Sequence, residues 1–231
     1  MMSQSIPSGS SYALTYPQLM NQALAAGRSD AELAALRSAV EFARELFSGY
    51  YRAQGVPFIC HVVRAASIVL AAGGPLATIN AALLHNAYVN GRFDDKKAGK
   101  FSDKHRRQMR ERAGEAVENL VFIYSQFPWY EAGALEKHLE SFGRYSAAEK
   151  EVIVMRLANE IEDHLDLALG YSEKGSMAGR GAAFHTAMIA LAEAVGQPGW
   201  AKELAGLYEA YASARLPAFL KFTHRSTFSE K

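Results

Sequence analysis

The stretch His61–Val89, HVVRAASIVLAAGGPLATINAALLHNAYV, decides the fold that this sequence predicts. It holds two segments that are apolar on nearly every face, which is typical of helices at the centre of a bundle. Gly-Gly-Pro at 73–75 separates them. Because glycine often follows a helix end and proline is tolerated in a first turn, we expect one helix to stop here and another to begin. The second helix runs directly into the polar pair His85-Asn86.

The flanking segments also have the spacing of helices. Ser29 with Glu32, and Ser146 with Glu149, match the capping box, in which a serine and a later glutamate satisfy backbone N–H groups at a helix start. No segment alternates polar and apolar residues as a strand does, and no internal repeat is visible. We therefore predict an all-α fold, with further helices in 29–47, 113–127, 150–169, 180–196 and 199–214.

Length and composition indicate one domain. The chain has 231 residues, of which 49% are hydrophobic, and this is enough for one sizeable core. No shift in composition divides it. We predict a mobile, serine-rich arm at 1–16, a helical domain at 17–214 and a weakly patterned tail at 215–231.

Charge and cysteine content argue against several classes of protein. The 25 Lys and Arg nearly balance the 24 Asp and Glu, so we expect attraction neither to nucleic acid nor to an anionic membrane. The basic run 96–112 lacks interleaved aromatics; it could hold phosphate near a site or form a solvated surface. The lone Cys60 fits a reducing compartment, and no apolar run reaches the roughly 20 residues of a membrane span. We expect a cytoplasmic protein without a signal peptide, of undetermined oligomeric state.

Three places on the apolar helices carry polar side chains: His61, the pair His85-Asn86, and Asn159. A buried imidazole or amide needs a hydrogen-bond partner, so each could be an ordinary, satisfied core residue. Because no glycine-rich nucleotide loop is present, a phosphate would have to be held in another way. We interpret Cys60 as a small core residue rather than a nucleophile.

The segments YYRAQGVPFICHVVRAASIVLAAGG at 50–74, INAALLHNAYVN at 79–90 and VIVMRLANEI at 152–161 resemble the HD-superfamily hydrolase domain of RelA/SpoT enzymes. That family hydrolyses (p)ppGpp with a manganese ion. The similarity runs in order over about residues 40–212. It implies an HD-domain-like multi-helix bundle in which Arg52 lies in the ligand-facing segment and His61 is the first histidine of the site.

The departures from the family fall on its metal ligands and acidic groups. His85-Asn86 stands where the family has His-Asp, and Asn159 stands where it has the final metal-binding Asp. An acidic pair that assists attack by water corresponds to Val-Asn at 89–90, and Glu193 replaces an Asn near the nucleotide. A hard cation such as Mn²⁺ needs anionic oxygen ligands, which neutral amides do not supply. The inherited manganese-dependent hydrolysis is therefore not expected here.

We expect instead a small polar or phosphorylated, nucleotide-like ligand in the former metal site, and no metal cofactor. His61 and His85 are the candidate acid-base groups for any reaction. Arg52 is the best candidate for binding an anion, because a guanidinium binds phosphate through two hydrogen bonds. The candidate ligand-binding residues are Arg52, Asn86, Asn90, Asn159 and Glu193.

Two alternatives remain open. Asp163 lies one helical turn after Asn159, so a carboxylate could have moved along the helix. The protein would then be a metal-dependent phosphohydrolase with His61, His85 and Asp163 as weak ligands of Mn²⁺ or another divalent ion. The segment NEIEDHLD at 159–166 is also typical of a solvated face with ion pairs. The second alternative is a helical interaction module without an active site, in which the residues of the former site are simply packed.

Overall fold

The computed structural model describes residues 11–94, 102–172, 181–223 and 227–229. These residues form the helices α1 (Tyr16–Ala25), α2 (Asp30–Phe47), α3 (Phe58–Ala71), α4 (Leu76–Leu84), α5 (Ala87–Asn90), α6 (Asp103–Ala113), α7 (Glu115–Gln126), α8 (Ala134–Ser141), α9 (Ala147–His164), α10 (Ala182–Ala194) and α11 (Pro198–Ser213). Short 3-10 helices lie at Phe142–Arg144, Leu165–Tyr171 and Ala218–Leu220. The predicted all-α fold is confirmed.

One small sheet joins two distant segments of the described chain. β1 (Tyr50–Tyr51) pairs antiparallel with β2 (Phe228–Ser229), and the rings of Tyr51 and Phe228 stack with their centroids 5.5 Å apart. This pairing brings part of the predicted tail beside the loop that leads into α3. Residues 224–226 and 230–231 of that tail lie outside the described residues.

Both predicted capping boxes are present. The Ser29 hydroxyl accepts from the backbone N–H of Glu32 at the start of α2, and the Glu32 carboxylate accepts from the backbone N–H of Ser29. Ser146 and Glu149 make the same reciprocal contacts at the start of α9. Local sequence therefore sets where these two long helices begin.

The two apolar segments are central, as predicted. α3 packs against α1, α2, α4 and α9, and nearly all of its residues from Val62 to Leu70 are buried. Pro57 precedes its first residue, which places His61 at the end of its first turn. α4 ends at Leu84, so the pair His85-Asn86 lies at the junction between α4 and α5.

The N-terminal segment packs against α3. The backbone N–H of Ala13, which is buried, donates to Ser67 Oγ at 2.7 Å, and the Tyr12 hydroxyl donates to Glu203 at 2.8 Å. Residues 12–16 of the predicted arm therefore belong to the packed chain, while residues 1–10 lie outside the described residues.

The described part of the basic run 96–112 forms α6, and residues 95–101 lie outside the described residues. Arg106 and Arg110 donate to Glu118, and Arg112 donates to Glu45 at 2.7 and 2.8 Å. These arginines are held by carboxylates of the same chain. None of the described helices combines the length and apolar character that crossing a membrane requires.

Candidate functional site

A tight turn before α3 presents Arg52. The Arg52 backbone N–H donates to Val56 O and the Gly55 N–H donates to Arg52 O, each at 2.8 Å. Gly55 has φ +80°, and a Cβ on this residue would lie 2.8 Å from the ring of Phe222. Glycine is therefore required here both for its backbone conformation and for the close approach of that ring.

The junction between α4 and α5 fixes the state of His85. Its Nδ1–H donates to the carbonyl of Ala82 at 2.7 Å, so Nε2 must be the acceptor nitrogen of the neutral ring. Asn86 Nδ2 lies 2.7 Å from His85 Nε2 and 3.3 Å from His61 Nε2. The amide group of Asn86 can thus donate to both acceptor nitrogens. An ionised carboxylate in its place has no hydrogen to donate.

His61 contacts both a carboxylate and a guanidinium. Its Nδ1 lies 2.5 Å from Glu162 Oε2, and Arg52 Nη1 lies 2.7 Å from Nδ1 and 3.1 Å from Nε2. If Nδ1–H donates to Glu162, Arg52 Nη1 can donate only to Nε2, although Nη1 lies nearer to Nδ1. Burial and the nearby Arg52 charge hold the pKa of His61 well below its usual value.

Arg52 binds the carboxylates of α9. Its Nη2 donates to Asp163 Oδ1 at 2.6 Å, and its Nη1 lies 3.6 Å from Glu162 Oε2. Asn159 Nδ2 donates to the other oxygen of Asp163 at 3.2 Å. Burial opposes the charge of the guanidinium, but the carboxylates of Asp163 and Glu162 raise the pKa of Arg52 above its ordinary value.

The interpretation of segment 159–166 as a solvated face is wrong for its first residues. Asn159, Glu162 and Asp163 are 7%, 6% and 5% exposed. The reason is that α9 packs against α3, α7, α10 and α11. The sequence of one helix does not reveal which other helices cover it. Asp166 does reach solvent, with its side chain 50% exposed in an ion pair with Arg64.

Burial perturbs the acid-base properties of two groups at the site. It raises the pKa of Glu162 to about 7, because the opposing charges of Arg52 and Arg64 only partly offset the loss of water. Burial, together with the neighbouring His61, lowers the pKa of His85 to about 3. The two imidazoles are therefore neutral near pH 7.

A cavity of about 290 Å³ opens beside this network. Four of the five predicted ligand-binding residues line it: Arg52, Asn86, Asn90 and Asn159. The fifth, Glu193, is exposed on α10 and is not part of the lining. The other lining residues are Phe58, Val89, Tyr124, Ser125, Tyr130, Arg156, Asp163 and Thr227.

The two candidate acid-base histidines lie behind the cavity wall. His61 and His85 are 0% and 2% exposed, and neither is among the lining residues. Their rings meet edge to face, with centroids 5.1 Å apart. Cys60 is only partly buried, and burial raises the pKa of its thiol, which is consistent with an unreactive cysteine.

Sequence reasoning missed Arg156 and Tyr124 as lining residues and Glu162 as the partner of His61. Arg156 lies over the ring of Tyr124 with 3.7 Å between the guanidinium carbon and the ring centroid. The spacing of Arg156, Asn159 and Asp163, three and then four residues apart, places them on one face of α9. This spacing could have indicated that the three residues act together. It does not indicate which other helix their face packs against.

The residues present fit a divalent ion only in part. Ligand atoms of His61, Glu162 and Asp163 lie within 4.8 Å of one another, and all three residues are buried. This group differs from the set considered from sequence, because His85 directs Nε2 at the amide of Asn86. Arg52 donates to Asp163 and contacts His61, so as folded these ligand atoms already contact a guanidinium.

Comparison with known proteins gives the following similarities. Residues 44–129, less than half of the chain, match a family model described as "Domain of unknown function (DUF6817)". No curated protein matched the sequence. A solved structure described as "A metazoan ortholog of SpoT hydrolyzes ppGpp and plays a role in starvation responses" is similar with 15% identity, covering 78% of this chain and 95% of that one, at a TM-score of 0.47. The function of the present chain has to be argued from its own site.

Proposed function

We propose that this protein is a divergent HD-fold protein that binds a small phosphorylated, nucleotide-like ligand in the 290 Å³ cavity and does not carry out manganese-dependent hydrolysis. The fold assignment is supported by the convergence of Arg52, His61, His85-Asn86 and Asn159 at one place. The resemblance in sequence requires these separate segments to meet.

The observation that carries the proposal is the state of Arg156. Its Nη2 donates to the carbonyls of Tyr124 and Phe127 at 2.7 and 3.4 Å. Among the described residues it makes no ion pair, and its buried Nε has no hydrogen-bond partner. A guanidinium that lines a cavity and has no ion pair among the described residues favours an anion, because phosphate accepts several charge-assisted hydrogen bonds.

The rest of the lining supports a nucleotide-like ligand rather than a bare anion. Tyr124, Tyr130 and Phe58 offer aromatic surface, while Asn86, Asn90 and Asn159 bring amide groups that can recognise polar edges. A planar base can stack on an aromatic ring while its phosphate meets a guanidinium. The cavity therefore combines the two kinds of contact that a nucleotide requires.

Binding without hydrolysis follows from the positions and states of the histidines. A general base works best when its pKa lies near the working pH, and that of His85 is about 3. Asn86 also donates to the acceptor nitrogen of that ring. Neither histidine lines the cavity, so neither contacts a ligand bound there. Their hydrogen bonds instead position Asn86 and Arg52.

The test is a thermal shift and calorimetry series with GMP, GDP, AMP, glucose 6-phosphate and inorganic phosphate, with guanosine and glucose as uncharged controls. We expect stabilisation by phosphorylated compounds alone. Arg156→Met should weaken binding about tenfold or more, since a charged hydrogen bond contributes about 1.5–3 kcal/mol. Arg37→Met, which removes an exposed guanidinium paired with Glu41, is the matched control.

The proposal fails if no phosphorylated compound changes the melting temperature, or if Arg156→Met binds as the unmodified chain does. A second candidate, a metal-dependent phosphohydrolase, is favoured only by the grouping of His61, Glu162 and Asp163. It requires metal-dependent release of phosphate from the same compounds. Hydrolysis by the unmodified chain in Mn²⁺ would replace the first proposal with this one.

A further inference from the structure

We infer that Arg52 is a built-in cation that occupies a latent divalent-metal site formed by His61, Glu162 and Asp163, and that removing its charge opens this site to a metal ion. This inference goes beyond the proposed ligand, because it concerns the contacts of Arg52 and Asp163 with the buried His61 and Glu162. It explains how the protein keeps two buried carboxylates beside an imidazole without requiring a metal.

The geometry places the guanidinium among all three groups. Arg52 Nη1 lies 2.7 Å from His61 Nδ1 and 3.6 Å from Glu162 Oε2, and Nη2 lies 2.6 Å from Asp163 Oδ1. The ligand atoms of those three residues span at most 4.8 Å. The Arg52 nitrogens therefore already contact the atoms that would coordinate such an ion.

The charges lead to the same conclusion. Glu162 and Asp163 are buried, and their side chains are 7% and 6% exposed. Buried carboxylates persist when a cation or a metal compensates them. Arg52, 18% exposed, is the guanidinium that contacts both. Without it, one imidazole nitrogen and two carboxylates would remain, a ligand set suited to Zn²⁺ or Mn²⁺.

The neighbouring amides do not supply the compensating charge. Asn86 presents its amide hydrogens to the acceptor nitrogens of His61 and His85, whereas the aspartate of the resembled family would present oxygen. The Asn159 amide likewise donates to Asp163. The Arg52 guanidinium contacts the carboxylates of both Glu162 and Asp163.

Isothermal titration of Zn²⁺ and Mn²⁺ into Arg52→Met tests the inference. We expect one metal ion per chain, bound at least about tenfold more tightly than by the unmodified protein. Arg52→Lys retains a positive charge and should resemble the unmodified protein. Arg52→Met with Asp163→Asn should lose the gain, and Arg37→Met, at an exposed ion pair, should show none.

Several outcomes would overturn the inference. One is tight binding of one metal ion per chain by the unmodified protein. Another is a folded Arg52→Met variant that binds the metal no more tightly than the unmodified protein. A third is a gain in metal affinity that persists when Asp163→Asn is added. If Arg52→Met does not fold alone, refolding in Zn²⁺ or Mn²⁺ should restore its helical circular dichroism, and should fail with Asp163→Asn added. Absence of metal rescue counts against the inference.

This outcome can be separated from that of the proposed function. Arg156→Met leaves the contacts among Arg52, His61, Glu162 and Asp163 intact, so it should not change metal binding. Loss of phosphate-ligand binding in Arg156→Met, with no metal gain in Arg52→Met, would leave the first proposal standing and reject the second.

Discussion

Glu118 on α7 and Glu162 on α9 are both buried carboxylates, 1% and 6% exposed, yet their pKa values are shifted in opposite directions. Glu118 accepts from Arg106 at 2.6 and 3.1 Å, from Arg110 at 3.0 Å and from the Tyr88 hydroxyl at 2.9 Å. Burial alone would raise the pKa of Glu118, but these donors together lower it. This carboxylate is held ionised and joins α5, α6 and α7.

Glu162 has fewer donors and lies deeper in the protein than Glu118. Its Oε2 lies 2.5 Å from His61 Nδ1, and the Arg52 guanidinium, at 3.6 Å, is directed mainly at Asp163. Burial therefore raises the pKa of Glu162 to about 7. The two carboxylates therefore differ both in depth of burial and in the number of N–H and O–H donors, and both differences favour the charged form of Glu118.

The largest expected effect comes from breaking the well-compensated region. Glu118→Ala should lower the free energy of unfolding by about 3–5 kcal/mol, because it leaves Arg106, Arg110 and Tyr88 without their acceptor. Urea denaturation measures this. Glu45→Ala removes an acceptor from the exposed pair with Arg112 and should cost about 0–1 kcal/mol. Equal losses of stability in the two variants would show that the buried Glu118 contributes no more than the exposed Glu45.

The second prediction concerns pH. Glu162 has a pKa raised from 4.5 to about 7, so its contribution is fully present below pH 4.5 and is lost as the pH rises through 7. Relative to Glu162→Gln, the unmodified chain should lose at most about 3 kcal/mol of stability over that window. Urea unfolding of both proteins at pH 5 to 8 measures the difference. A pH-independent difference would show that Glu162 does not titrate there.

Glu118 should show the opposite sign. Because its pKa is lowered, its contribution is present above pH 4.5 and is lost as the pH falls below that value. Acid titration of the unmodified chain against Glu118→Gln provides the reference for the Glu162 measurement.

A smaller effect is expected at the amide that joins the two histidines. Asn86→Asp removes the donor to His85 Nε2 and His61 Nε2 and should destabilise the fold by about 1–3 kcal/mol. We expect Asn86→Asp combined with Asn159→Asp to gain stabilisation by Mn²⁺, measured by thermal shift. Asn90→Asp, at a cavity residue without these contacts, is the control. A double variant that folds and ignores Mn²⁺ would argue against our placement of the former metal site.

The smallest effect belongs to an exposed carboxylate with many donors. Hydrogen bonds from the Ser29 backbone and from Arg28 lower the pKa of Glu32 to about 2. Its contribution to the capping box should be present above pH 4.5 and lost as the pH falls through about 2. Side-chain carboxyl chemical shifts in an NMR titration measure this. A midpoint near 4.5 would show that the capping box of α2 is open in solution.

Much of the fold was predictable because its signals are local. The capping boxes at Ser29 and Ser146 depend on residues three apart, and the Gly-Gly-Pro at 73–75 ends one helix and starts another through backbone geometry alone. The small sheet between β1 and β2 was not predictable, because two residues per strand leave no pattern.

The site was predictable in part. The resemblance placed Arg52, Asn86, Asn90 and Asn159 at one ligand site, and the structure shows these four lining one cavity. Glu193 is exposed on α10 and does not line this cavity. Arg156 was missed because a charged residue on an amphipathic helix has the same pattern whether it faces water or a cavity.

The sequence by itself determined the helical class, the starts of the main helices and the presence of amides at Asn86 and Asn159, where the resembled family has acidic groups. Those properties depend on residue type and on spacing within one helix. Only the tertiary structure decided that Glu162 and Asp163 are buried and that Arg52 lies between them and His61. Arg52 and Asp163 are 111 positions apart in the chain, and the free energy of a buried charge depends on neighbours that are brought together only when α3 packs on α9.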